Sequence, residues 1–182
     1  MPDREAADMK IVCIESNDIP LRDRAVNEVA HKLRTQGMRV RVAAFPGDGP
    51  FAHQIRVALD ERTQYHDLPW HGLQLVDRMD FFFNPTNGLS QNANKFDYLL
   101  ISGSHYYENL QTDDDELSSW ILSINDVTPQ PQLVLWISKT EADQAFDRLV
   151  NVFPSALRLV QTPSNDIVYA ICNFLKAEPD HD

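Results

Sequence analysis

The sequence predicts an α/β fold in three layers, with a five-stranded parallel sheet flanked by helices on both faces. Short apolar runs alternate along the chain with longer segments of helical periodicity. The apolar runs, such as 10–14 and 133–137, are hydrophobic almost throughout rather than at every second residue. Strands of that kind are buried on both faces, as they are in parallel sheets covered by helices.

The first strand, at 10–15, is expected to be central and to lead into a helix. Pro20 suits a first helical turn, Gly37 suits a helix end, and Val26, Val29 and Leu33 fall on one apolar face. Further strands are predicted at 39–45, 96–102, 133–137 and 156–160, further helices at about 51–61, 66–83, 140–152 and from 162 onward, and a polar turn region at 84–94.

The helix at 66–83 carries two apolar rows, and the sequence leaves open which of them is buried. The two rows are Leu73, Val76 and Phe83, and Leu75, Met79 and Phe82. We also expect part of an aromatic set to form an exposed patch, on this helix or after the third strand, that binds another protein chain. That set is Trp70, Tyr106, Tyr107, Trp120 and the run 81–83.

The 182 residues suit one domain at 10–176, between an N-terminal tail at 1–9 and a C-terminal tail at 177–182. A net charge of −11 without a basic stripe argues against nucleic-acid binding. Cys13 and Cys172 are predicted to be reduced core residues, so we expect a soluble intracellular protein, cytoplasmic in preference to organellar. No apolar run is long enough to span a bilayer, and the first nine residues are unlike a secretory or mitochondrial presequence.

The loop after the first strand is the most informative segment. A strand, a nine-residue loop at 15–23 and a helix are the context of a nucleotide-binding P-loop, whose sequence is Gly-x-x-x-x-Gly-Lys-Ser/Thr. Both glycines, the lysine and the hydroxyl are replaced, so an ordinary strand-to-helix connection remains open beside a degenerate phosphate loop. The eight positions are Ser16, Asn17, Asp18, Ile19, Pro20, Leu21, Arg22 and Asp23.

Three segments, in order along the chain, resemble thymidylate kinases of the P-loop nucleoside-monophosphate kinase group. Residues 45–56 read Phe-Pro-Gly-Asp-Gly-Pro-Phe-Ala-His-Gln-Ile-Arg and are similar to the family's Glu-Pro-Gly-Gly-Thr-Pro-x-Gly-Glu-x-Ile-Arg. Residues 73–78, Leu-Gln-Leu-Val-Asp-Arg, are similar to a family helix that ends Ala-Asp-Arg. Residues 129–136 resemble the family's Pro-x-Pro-Asp-Leu-x-Leu-x-Leu segment, and the resemblance implies a P-loop kinase-like fold over about 10–176.

The resemblance also implies a set of acceptor-nucleotide residues. Asp18 aligns with a loop aspartate near the acceptor sugar, Arg78 with an arginine that contacts the nucleotide, and Gln74 with the aromatic that stacks on thymine. Phe45 and Pro46 complete the set, although a structural role is also open for both. From the residues alone, Asp18 is equally well explained as a helix N-cap, and Arg78 as a member of a surface ion pair.

Other positions depart from the family. Ser102-Gly103-Ser104 stands where the family has Asp-Arg-Tyr, and Ala44 replaces a further arginine. Only 17 residues, 139–155, connect the fourth and fifth strands, so the arginine-bearing lid is expected to be deleted. The resemblance therefore implies loss of a metal-binding acid and of charges that stabilise the transferred phosphoryl group.

Three functions follow as hypotheses. The preferred one is a pseudokinase that acts as a scaffold, accessory subunit or regulatory binding protein, with a protein partner or a homodimer. The alternatives are a divergent dTMP kinase, converting ATP and dTMP to ADP and dTDP, and a sensor that binds a dTMP-like nucleotide without turnover. Asp18 and Arg22 are the residual catalytic candidates. We predict no metal site and no cofactor; Mg²⁺ and ATP are expected only in the kinase alternative. For His105, Tyr106 and Tyr107, a role in a loop or in contact with a partner is preferred.

Overall fold

The computed structural model describes residues 9–60, 67–103, 128–138, 144–153, 156–160 and 164–176. Within these ranges, five parallel strands form one sheet in the order β2-β3-β1-β4-β5, so β1 is central as predicted. The strands are β1 Lys10–Glu15, β2 Val40–Ala44, β3 Tyr98–Ser102, β4 Leu133–Ser138 and β5 Leu157–Val160. The predicted fold class is confirmed, with strand ends displaced by one or two residues.

The described helices follow the predicted alternation. They are α1 Ile19–Thr35, α2 Pro50–Asp60, α3 Asp67–Phe83, α4 Gln144–Val152 and α5 Ser164–Lys176. Two short 3₁₀ turns, Leu89–Gln91 and Ala93–Lys95, lie in the region predicted as polar turns. That prediction missed the burial of Leu89, which is 2% exposed because it packs into the core beside α3.

Helices cover both faces of the sheet. Along β1, Val12 and Ile14 belong to a core cluster with α1 and α5, whereas Ile11 and Cys13 belong to a second cluster with α3 and α4. All four residues are at most 3% exposed, as expected for a central strand buried on both faces. Among the described residues, no helix has the length and apolarity that crossing a membrane requires.

In α3, the structure rejects one of the two apolar rows that the sequence left open. Val76 and Phe83 are 39% and 41% exposed, so the row they form with Leu73 is not buried. Among the described side chains of α3, the buried ones are Asp77, Arg78 and Phe82, and Phe82 belongs to the second row. The surface ion-pair interpretation of Arg78 is therefore wrong, and the two charged side chains lie under the loop that follows β2.

Several predictions fall outside the described residues. They concern the aromatic residues Tyr106, Tyr107 and Trp120, His105, the tails at 1–8 and 177–182, and parts of the connection between β4 and β5. The side chain of Trp70 is also outside the described set.

Candidate functional site

Three loops leave the sheet at the same level of its carboxyl edge. Ser102, at the end of β3, is in register with Ile14 on β1 and with Ala44 on β2. In open α/β sheets, ligands bind outside this edge of the strands. The loops after β1, β2 and β3 therefore form the candidate site.

The connection from β1 to α1 has three residues, 16–18, and the prediction of a nine-residue loop is wrong. Asp18 is the N-cap of α1, and its carboxylate accepts the Leu21 N–H at 3.0 Å. Pro20 lies in the first turn, where its fixed φ suits a helix. These two residues start the helix at Ile19, inside the span predicted as loop.

Ser16 is a buried link between strands. Its hydroxyl donates to the carbonyl oxygen of Ile137 at 2.7 Å and accepts the Asp18 N–H at 3.0 Å. The side chain thus joins the end of β1 to β4 and fixes the turn into α1. Asn17 is exposed between them.

The first turn of α1 has few N–H groups left for an anion. Pro20 has none, the Leu21 N–H bonds the Asp18 carboxylate, and the Arg22 N–H bonds the Asp18 carbonyl oxygen at 2.9 Å. A helix N-terminus binds phosphate through free N–H groups and its positive dipole. Here the protein's own carboxylate takes that place.

A second carboxylate lies one turn further on. Arg22 Nε donates to the Ser102 hydroxyl oxygen at 3.0 Å and to Asp23 Oδ1 at 3.1 Å, and Arg22 Nη2 also lies 3.1 Å from that oxygen. The Ser102 hydroxyl donates to the same Asp23 oxygen. The candidate residue Arg22 is therefore paired with its sequence neighbour Asp23 and with Ser102.

Gly103 makes room for this arrangement. It has a φ of +73°, and a Cβ built on it would lie 2.4 Å from Arg22 Nη1. Only glycine combines that backbone conformation with so close an approach at low cost. No local sequence pattern predicts this contact, because Arg22 and Gly103 are distant along the chain.

The loop after β2 is held by side chains from two helices. Asp77 on α3 accepts the Gly47 N–H at 2.8 Å, while Arg56 on α2 donates to the carbonyl oxygens of Pro46, at 3.4 Å, and Gly47. The Phe45–Pro46 peptide bond is cis. Both groups of the Gly47 backbone are thus satisfied by charged side chains.

Burial raises the pKa of the Asp77 carboxyl group, which is 3% exposed. The Gly47 N–H and the charges of Arg78 and Arg56 act in the opposite direction, and Asp80 adds to the increase. Desolvation of the carboxylate is therefore the dominant influence.

Arg78 also contacts the segment after β2, through the ring of Phe45. Its guanidinium carbon lies 5.4 Å from the centre of the Phe45 ring, and that ring packs edge-on against Phe81 at 5.4 Å. An arginine over an aromatic face is a cation–π arrangement, and its planar group stacks well in a buried position. Arg78 thus joins α3 to the loop.

A cleft of about 320 Å³ lies between β2, this loop and α3. Its polar lining residues are Arg41, Asp48, Arg56, Asp77, Asp80 and Asn87. Of the predicted acceptor set, Pro46 alone is among the described lining residues. Phe45 and Arg78 pack beside the cleft, Gln74 is partly buried on α3, and Asp18 lies across β3 in the loop after β1.

Sequence reasoning missed Asp77 and Arg56 as residues of this site. Both lie inside the segments that carried the family resemblance, at 73–78 and 45–56, so the signal was present. The resemblance of these segments was interpreted as contacts to a nucleotide, whereas the Asp77 and Arg56 side chains contact the loop backbone.

No protein-family model and no curated protein matches the sequence. Among solved structures, the chain is similar to the crystal structure of thymidylate kinase from Ehrlichia chaffeensis. The superposition covers 93% of this chain and 100% of that chain, with a TM-score of 0.70 and 12% sequence identity. The fold is P-loop kinase-like. The resemblance predicted from the sequence is thereby confirmed at the level of the fold.

Proposed function

We propose that this protein binds a partner or ligand and does not transfer phosphoryl groups. In this proposal it is a pseudokinase that serves as a scaffold, accessory subunit or regulatory binding protein. The observation that carries the proposal is the use of the first-turn N–H groups of α1 by Asp18.

Phosphoryl transfer depends on holding the donor phosphates and neutralising their charge. At the matching position, Asp18 and Asp23 add two negative charges, and Arg22 already pairs with Asp23 at 3.1 Å. Ser102 cannot replace a carboxylate as a ligand that balances the charge of Mg²⁺. Together, these features weaken the binding of ATP–Mg²⁺, and one substitution would not reverse all of them.

The test is titration of the protein with ATP–Mg²⁺, followed by a kinase assay with ATP and dTMP. We expect an ATP–Mg²⁺ dissociation constant in the millimolar range or weaker, about −4 kcal/mol. We expect no dTMP phosphorylation, with an active thymidylate kinase as the positive control. Turnover above roughly 1 s⁻¹, the lower end of the kinase range, would establish the divergent dTMP kinase instead.

The cleft beside the loop after β2 favours a second candidate, a sensor for a dTMP-like nucleotide. Its volume of about 320 Å³ lies at the lower end of the range for small-molecule sites. Arg41 and Arg56 supply the positive charge for a phosphate in its lining, which also contains the carboxyl groups of Asp48, Asp77 and Asp80.

A sensor should bind dTMP in calorimetry without turnover, and Arg56→Gln should weaken that binding about tenfold. Arg39→Gln is the matched control. It removes the same charge at the amino end of β2, where Arg39 pairs with Asp97 at 2.7 Å. Equal effects of the two variants would reject the cleft as the binding site.

The protein partner or homodimer is part of the same proposal. Phe83, at 41% exposure, is the described member of the predicted aromatic patch that faces solvent, whereas Phe82 is 4% exposed. Light scattering of the purified protein tests the homodimer. If both the wild type and Phe83→Ser are monomers, the homodimer is rejected and only the heteromeric partner remains in the proposal.

A further inference from the structure

We propose that Asp23 is a built-in counter-ion that closes the carboxyl edge of the sheet, at β1 and β3, to anions of the phosphate class. The inference rests on the proposed absence of phosphoryl transfer and gives it a specific cause. It concerns the contact of Asp23 with Arg22 and Ser102.

The first step is the donor set around one oxygen atom. Asp23 Oδ1 receives Arg22 Nε at 3.1 Å, lies 3.1 Å from Arg22 Nη2, and accepts the Ser102 hydroxyl. A guanidinium group and a hydroxyl converging on one charged oxygen are the contacts that a phosphate oxygen takes in protein sites. The carboxylate oxygen of Asp23 therefore occupies an oxyanion position.

The second step is that this position is built by separate parts of the fold. Arg22 comes from α1, Ser102 ends β3, and Gly103 begins the turn after it. The Gly103 N–H bonds the Ile14 carbonyl oxygen at 3.0 Å, which fixes the turn against β1. Because Gly103 has no Cβ, the Arg22 guanidinium group fits directly against it.

The third step is electrostatic. Arg22 and Asp23 form a pair without net charge, and Asp18 adds one negative charge at the start of the same helix. An entering phosphate must displace the Asp23 oxygen and approach two carboxylates. The Asp23 side chain is 49% exposed and that of Arg22 only 15%, so neutralising Asp23 leaves the Arg22 and Ser102 donors in place.

The experiment compares wild type with Asp23→Asn, using inorganic tripolyphosphate as the probe in calorimetry at low salt. Asparagine keeps the size and an acceptor oxygen but carries no charge. We expect binding to tighten about five- to tenfold, because an exposed ion pair contributes up to about 1 kcal/mol and repulsion of the probe is also lost. Added salt should reduce the gain.

Glu28→Gln is the matched control, since it removes one negative charge from α1 at a position outside this contact. The gain should be absent in Glu28→Gln and should disappear in the double variant Arg22→Ala/Asp23→Asn. Asp23→Ser provides a second neutral variant, and circular dichroism checks that each protein is folded.

Three results would overturn the inference: tight probe binding by wild type, no gain in either neutral Asp23 variant, or an equal gain in Glu28→Gln. The kinase assay is read separately. Turnover by wild type rejects the proposed function, whereas an inert wild type without a gain in Asp23→Asn rejects only the role of Asp23.

Discussion

Two arginine–aspartate sets lie at the same edge of one sheet, Arg22 with Asp23 beside the end of β3 and Arg56 with Asp77 at the loop after β2, and they have opposite results. After β1, Arg22 and Asp23 bond each other, so the pair fills the space beside Ser102. After β2, Arg56 and Asp77 bond opposite groups of the Gly47 backbone, and a cleft of about 320 Å³ remains beside the loop. Charged pairs therefore close a site when they bond each other, and shape one when they bond the main chain.

The largest effect that tests this comparison is expected from Asp77→Ala. The variant leaves the Gly47 N–H without its carboxylate acceptor in a partly buried loop. Leaving such a donor unsatisfied costs about 1–3 kcal/mol, so we expect a loss of about 2 kcal/mol in the free energy of unfolding. Urea denaturation measures it.

Asp48→Ala is the control for this prediction. Asp48 belongs to the same loop but is fully exposed, 3.7 Å from Arg56 in a surface ion pair. We expect no measurable change in its urea midpoint. If both variants lose the same stability, Asp77 does not hold the loop.

A smaller effect is expected beside the Arg22–Asp23 pair, from Gly103→Ala just after β3. Gly103 and Gly37 have positive φ values of +73° and +84°, but only Gly103 has a neighbour, Arg22 Nη1, where a Cβ would lie. The backbone conformation alone should cost about 1 kcal/mol in Gly37→Ala, and the loss of the Arg22 bonds to Ser102 and Asp23 should bring Gly103→Ala to about 2 kcal/mol.

The double variant Arg22→Ala/Gly103→Ala separates the two contributions in the same denaturation experiment. Removing the guanidinium should make the added cost of alanine at 103 equal to that at 37. If alanine at 103 still costs about 2 kcal/mol in the free energy of unfolding, the cost arises from the backbone and not from the contact with Arg22.

Most of the fold could be predicted from the sequence because its signals are local. Runs such as 11–14 and 133–137 are apolar along their whole length, and helices with clear caps, such as α1, lie between them. The order of the strands is not a local property. Only the central place of strand 10–15 was predicted, from the alternating pattern and the family resemblance, and the structure confirms it.

The site was less predictable because its contacts join distant segments. Asp18 could be recognised as a helix cap, since its partner Leu21 is three residues away. The contacts of Arg22 with Ser102 and of Asp77 with Gly47 span 80 and 30 residues. In α3, apolar periodicity included Phe82 in one of its two rows but did not indicate that Asp77 and Arg78 are also buried, because their partners lie in the distant segment at the end of β2 and after it.

The smallest expected effect is a pH dependence at the loop after β2. Burial raises the pKa of Asp77 in spite of the Gly47 N–H, Arg78 and Arg56, while Asp80 adds to the rise. The folded protein thus holds this proton more tightly than the unfolded chain, where an aspartate has a pKa of about 3.9.

The sign of the effect follows from that difference. The contribution of Asp77 to stability is fully present below about pH 3.9 and is lost as the pH rises through the higher pKa of the folded state. Asp77→Asn has no such titration, so its stability relative to wild type should increase with pH across this window. Urea midpoints of the two proteins between about pH 3.5 and pH 7 measure the difference. A difference that is flat, or that falls with pH, would mean that the Gly47 N–H and the two arginines outweigh burial, so that the loop binds the ionised form of Asp77 more strongly.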